Sequence, residues 1–161
     1  MYFIILKKKN LFLITLMLFS FDLLSKVLIS NFMHNSEELK IIPSLIHFTL
    51  VKNYGAAFSL FESFPLFLKF VSLIISIILI LIIFLKNIIS HQLKIGLVFL
   101  LAGSLGNGLD RWLYGYVIDF INITIINFPI FNLADIYINI GILFILYDNL
   151  VKSNHRNIIK H

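Results

Sequence analysis

Four stretches of this chain, residues 11–30, 64–85, 94–112 and 133–151, are each long and apolar enough to cross a bilayer as a helix. Such a crossing takes roughly 20 residues. The backbone polar groups of a span must be satisfied internally, so the reading is an all-α membrane protein with four transmembrane helices, one domain over residues 1–161. Composition agrees: 60% of residues are hydrophobic and 13% charged, with a mean hydropathy of +0.98, well above the usage of soluble domains. The first stretch opens like a secretory signal, because Lys7, Lys8 and Lys9 precede an apolar run. No small-residue cleavage site follows and three more spans do, so it is read as a retained helix.

Cysteine is absent, which excludes disulfides, thiolate metal sites and a cysteine nucleophile. The formal net charge is +5, yet the basic residues are spread over helix ends instead of gathered on one polar face. That argues against a nucleic-acid partner and for a topology signal. With four spans, Lys7, Lys8, Lys9, Lys86, Lys94, Lys152, Arg156 and Lys160 fall on one side, the cytoplasmic side by the positive-inside rule. Both termini are then cytoplasmic, and the connections 31–63 and 113–132 lie outside. Glu37, Glu38, Glu62, Asp110, Asp119 and Asp135 stand in or beside those connections, and Asp22 in the outer half of the first span. Acids contribute little to topology, so their clustering points to a site at the outer membrane surface.

The first outer connection is rich in Ile, Leu, Val, Phe and Thr over 41–52, which fits a short strand or hairpin. Asn53-Tyr54-Gly55 is turn chemistry, and 56–61 fits a brief helix along the interface.

Two acids carry the most pointed chemistry. Asp119 is flanked by Val117, Ile118 and Phe120, surroundings that desolvate a carboxyl and favour a protonated form able to act as general acid. A solvated loop carboxylate is the plainer alternative. Asp135 follows Pro129, which blocks helix upstream, and Asn132, a good N-cap. It falls at the third helical position, where free N–H groups and the helix dipole favour a charged carboxylate. A simple capping partner is its alternative. Taken together, two carboxyls in unlike surroundings suit a dyad sharing a proton, able to activate water and protonate a leaving amine.

Other polar residues interrupt apolar segments. Gly103 and Gly106 permit close backbone approach in the third span, and Asn107, Asp110 and Arg111 form a polar stripe at its outer end. Helix-packing glue is the plainer account of that stripe. Asp22 and Lys26 are spaced i, i+4, a structural ion pair with Arg111 as candidate third partner. Asn53 offers an amide that could hold a peptide backbone, or simply a turn. The histidines, His34, His47, His91, His155 and His161, show no ligand spacing, so neither metal nor cofactor is expected. A small transporter or an assembly protein would be the competing classes, the first requiring a polar path through both membrane halves.

In their order along the chain these residues resemble lipoprotein signal peptidase (signal peptidase II). Asp22 to Lys26 is similar to that family's first-helix box, Asn53 to Ser59 to its Asn-x-Gly-Ala-Ala-Phe-Ser box, and Gly103 to Arg111 to its Gly-x-x-Gly-Asn-x-x-Asp-Arg box. Val117 to Phe120 and Phe131 to Asp135 resemble the two boxes holding catalytic aspartates. Leu23, Ser25 and Phe128 depart from the commoner Gln, Thr and Trp, which bears on local packing and substrate preference and not on the assignment.

The resemblance implies a monomeric membrane aspartic endopeptidase of the bacterial cytoplasmic (inner) membrane, cutting prolipoproteins just before a diacylglyceryl-modified cysteine. Asp119 and Asp135 would be catalytic. Asn53, Gly103, Asn107, Arg111 and Asn132 would line the substrate site, with Asp22, Lys26 and Asp110 as structural support. It also implies a β-rich cradle with a short gating helix over a bundle open to lipid.

Overall fold

The computed structural model describes residues 7–33, 37–56, 60–85, 90–126 and 128–159, with side chains in the last helix described through residue 153. Among them are four helices that satisfy the length and hydropathy of a membrane crossing: α1 (Lys8–Phe32), α2 (Pro65–Leu85), α3 (His91–Tyr114) and α4 (Leu133–Ile159). The protein is therefore a multi-pass membrane protein. The first and third stretches are extended by a turn or less at each end and the last by two turns at its C-terminal end, because polar residues prolong a helix beyond the hydrocarbon it spans, while the second starts one residue later than expected, at Pro65.

α3 is the central helix and packs on each of the other three. Its glycines explain how. A Cβ on Gly96 would lie 2.9 Å from Gly141 O of α4, and one on Gly103 would collide with Ala134 O, so the α3 and α4 backbones touch. Ser90 caps α3 by accepting from Leu93 N, and the helix stops at Gly115, whose left-handed φ of 85° lets its N–H donate to Arg111 O. At the end where α3 begins, Ser90 also donates to Asp148, which pairs with Lys152, tying α4 to α3. The buried stripe of α1, Leu11, Thr15, Asp22 and Lys26, follows helical spacing and turns apolar residues towards the core and the ion pair towards the opposite end. The apolar core, at the end away from the ion pair, gathers Leu11, Leu79, Ile83, Leu97, Val98 and Leu101.

A three-stranded antiparallel sheet caps the other end, in the order β1 (Glu38–Ile42), β2 (Ile46–Asn53), β3 (Val117–Ile123). The expected hairpin is the first two strands, and the third comes from the second connection, for which the sequence suggests no strand. Its run Val-Ile-Asp-Phe-Ile-Asn-Ile, rich in β-branched residues, is strand chemistry. Asp119 pairs with Val51 across that sheet, and Val117 with Asn53. Of the brief helix expected over 56–61, residues 57–59 lie outside the described residues, and 60–63 form a turn.

Candidate active site

Asp119 is set in place by its own strand. Ile118 N donates to Asp110 Oδ2 at 3.1 Å and Ile118 O accepts from Asn132 Nδ2 at 3.2 Å, so the peptide before Asp119 is gripped from α3 and from the start of α4. Asp119 is 2% exposed. Its Oδ2 accepts from Asn53 Nδ2 at 2.8 Å and its Oδ1 from Asn132 Nδ2 at 2.6 Å. Asn53 is oriented for this because its Oδ1 accepts from Gly55 N at 2.9 Å, the Asx turn that the Asn-Tyr-Gly sequence suggested.

Asp135 is held by a capping box. Asp135 N donates to Asn132 Oδ1 at 3.0 Å, and Asn132 N donates to Asp135 Oδ2 at 3.2 Å, which satisfies two orphan donors reciprocally. Its Oδ1 accepts from Asn107 Nδ2 at 2.7 Å. Two asparagine amides thus join the acids: Asn132 touches both, and Asn107 Oδ1 accepts from Asn132 Nδ2 at 3.0 Å. Since Asn132 Nδ2 has two protons for three acceptors, its orientation is set from three directions.

Burial raises the Asp119 pKa from 3.8 to about 7, with the charge of Asp135 adding to it and the amides of Asn53 and Asn132 opposing. A carboxyl poised near neutrality beside a second carboxylate can hold and release a proton at ordinary pH.

Behind the pair lies a buried ionic cluster. Lys26 Nζ lies 2.8 Å from Asp22 Oδ2, 2.9 Å from Asp110 Oδ2 and 3.1 Å from Asn107 Oδ1. Asp22 Oδ1 in turn accepts from Ala134 N, capping α4 from α1 at 2.9 Å. The third partner expected for the ion pair was Arg111; it is Asp110, because Arg111 reaches the other way. Its guanidinium donates to Gly55 O at 3.0 Å and Asn107 O at 3.4 Å, latching the turn after β2 to α3.

Both aspartates line one cavity of about 1230 Å³ that opens over α3 between α2 and α4. Asn53, Asn107 and Arg111 share its wall. Gly103 and Asn132 stand behind it: Gly103 is consumed by the α3–α4 contact, and Asn132 is fully buried between the acids. The cavity also exposes Asn139, whose signal in the sequence is an amide in the middle of an apolar span. Among the described residues no group of three His, Cys, Asp or Glu side chains is placed to hold a metal ion. His34 lies outside the described residues, as do the side chains of His155 and His161.

Comparison with known proteins adds an independent line. A family model described as signal peptidase (SPase) II matches residues 14–151. The lipoprotein signal peptidase of Microcystis aeruginosa is 42% identical over 74% of this chain and 77% of its own length. That of Trichormus variabilis is 40% identical over 86% of this chain and 90% of its own. A solved bacterial membrane enzyme, determined by the in meso method, superposes with a TM-score of 0.86 at 31% identity, covering 96% of this chain and 93% of that one.

Proposed function

The chain belongs to the signal peptidase II family of membrane aspartic peptidases, and from that premise we propose that it cleaves signal peptides from prolipoproteins with Asp119 and Asp135 as its dyad. The observation that carries this is the amide bridge: two carboxyls on different elements, joined through Asn132 and Asn107 at the wall of one cavity. Asp119 begins protonated. Asp135 takes a proton from water as the water oxygen adds to the scissile carbonyl, and Asp119 gives its proton to the leaving nitrogen as the C–N bond breaks. The products are the signal-peptide carboxylic acid and a free amine on the new N-terminus. Transfer of one proton between the two acids through solvent restores the start.

The bond cut is the one before a diacylglyceryl-modified cysteine. Acyl chains on that cysteine stay in the bilayer, so a dyad at the helix ends beside the sheet meets the peptide without drawing the lipid out of hydrocarbon. The same reading puts the sheet end on the extracytoplasmic face of the cytoplasmic membrane and both termini in the cytoplasm, because Lys8, Lys9, Lys94 and Lys152 belong to the opposite end. Within it, Asn53, Asn107 and Arg111 contact substrate, while Asn132 and Gly103 position what does. One copy of the chain suffices, since both acids come from it, and no nucleic acid takes part.

The test is cleavage of a diacylglyceryl-modified prolipoprotein and of its unmodified precursor by purified enzyme in lipid vesicles. Wild type should cut the first and not the second, while Asp119→Asn and Asp135→Asn, both folded, should lose at least about a hundredfold in rate. Cleavage at the wild-type rate by either variant would remove the dyad, and equal cleavage of both substrates would remove the lipid requirement.

A further inference from the structure

Beyond the two aspartates the cavity continues between α2 and α4 with largely aliphatic walls, among them Leu68, Ile75 and Leu79 of α2 and Ile140 and Leu143 of α4. The described polar side chains on this stretch, below Asn107 and Asp135, are Ser72, Ser104 and Asn139. The serines are already engaged. Ser72 donates to Leu68 O and Lys69 O at 2.9 Å, and Ser104 is bonded to Ser76 Oγ at 2.9 Å and Ser72 O at 3.4 Å. Such bonds keep a hydroxyl satisfied inside its own helix or helix pair.

Asn139 differs. It is exposed, and it follows Asp135 by four residues, so the two share a face of α4. Its one side-chain bond among the described residues runs from Nδ2 to Asp135 O at 2.9 Å. In a regular helix that carbonyl already accepts from the backbone N–H of residue 139, so the extra bond adds little. The side-chain oxygen and one amide proton remain free, in a position where an unpaired amide is costly.

A membrane helix needs no outside hydrogen-bond partners until it ends, where its last four carbonyls are orphaned. A peptide bond inside a helix is also inaccessible to a pair of carboxyls, so the substrate's helix must end before the dyad. Along α4, Asn139 lies about 6 Å deeper in the bundle than Asp135, at 1.5 Å per residue. A signal peptide precedes its cleavage site, so this is the depth of the residues just before the scissile bond. We propose that Asn139 is a substrate-binding residue whose side-chain amide pairs with backbone peptide groups released where the substrate's membrane helix ends. This rests on the peptidase reading above.

The pairing is made by bound substrate and transition state alike, so its loss should appear in KM. Asn139→Leu, close in size, and Asn139→Ala, smaller, should each raise KM for a diacylglyceryl-modified prolipoprotein about tenfold with kcat within about twofold of wild type. Their melting temperatures should match that of wild type. A set of synthetic lipopeptides carries the second arm, each with one of the peptide bonds ahead of the cleavage site replaced by an ester. One of these should cost wild type about tenfold in kcat/KM and cost Asn139→Leu nothing further. A KM within about twofold of wild type in both variants, or ester losses identical in wild type and variant, would overturn the inference while leaving the peptidase reading intact. Failure of wild type to cleave the unaltered substrate would overturn both.

Discussion

Replacing Lys26 with methionine tests how the buried charge cluster holds the site together. The ammonium has three oxygen neighbours at 2.8, 2.9 and 3.1 Å. The side chains of Lys26, Asp22 and Asp110 are 2%, 0% and 3% exposed. Methionine fills most of the volume but leaves two carboxylates without a cation, and breaking a buried pair in this way costs roughly 3–5 kcal/mol. For a chain of this size that corresponds to a fall in Tm of roughly 6–20 °C. Thermal unfolding of purified protein, followed by circular dichroism in detergent, measures it. A triple variant, Asp22→Asn with Lys26→Met and Asp110→Asn, should recover most of the Tm. Asparagine keeps a carbonyl oxygen for Ala134 N–H and Ile118 N–H, the two backbone donors these acids serve. A Lys26→Met protein that melts within about 2 °C of wild type, or a triple variant no more stable than the single one, would refute the stated cost of an unpaired buried charge.

Two further outcomes follow from the geometry. Because burial lifts Asp119 from 3.8 to about 7, the folded state holds a proton that the unfolded chain gives up between those values. The stability it confers is present at low pH and drains as pH rises from about 4 to about 7. Activity that needs the proton should fall as pH rises through about 7, seen in the pH profile of kcat/KM, and Asp119→Asn should flatten the decline of Tm over the same range. Glycine substitutions should divide by packing. A Cβ on Gly141 would lie 2.7 Å from Gly96 O, whereas one on Gly108 meets Ser72 Cβ at 3.4 Å. Gly141→Ala should then lose at least about 1–3 kcal/mol, and Gly108→Ala should be neutral or gain up to about 1 kcal/mol from helix propensity, both read by thermal unfolding.

The features legible in the chain were those set by local periodicity. Hydropathy over some twenty residues located the spans, because a bilayer imposes that length on any helix that crosses it. Asn132 with Asp135 made a capping box, and Asp22 with Lys26 an ion pair, since residues three and four apart meet on one helix whatever the rest of the fold does. The ordered boxes likewise pointed to the family, as short motifs keep their spacing in sequence.

What tertiary structure decided were the meetings of distant segments. Asn53 finds Asp119 across 66 residues, Lys26 finds Asn107 across 81, and Asp22 caps α4 across 112. The sequence offered Arg111 as third partner of the Asp22–Lys26 pair. The choice fell to Asp110 because Arg111 is drawn to Gly55 O by the turn after β2, which arrives from another part of the chain. Asp119 reads as a loop acid until β3 joins the sheet, and pairing with β2 is what buries it. Asn139 reads as one polar residue in an apolar span until the separation of α2 from α4 opens a cavity beside it. Sequence alone determined which residues could carry charge and cross lipid, through chemistry and period. The packing of three helices and a sheet around α3 decided which of those charges and amides meet, because desolvation and hydrogen-bond reach depend on what lies within a few ångströms in space.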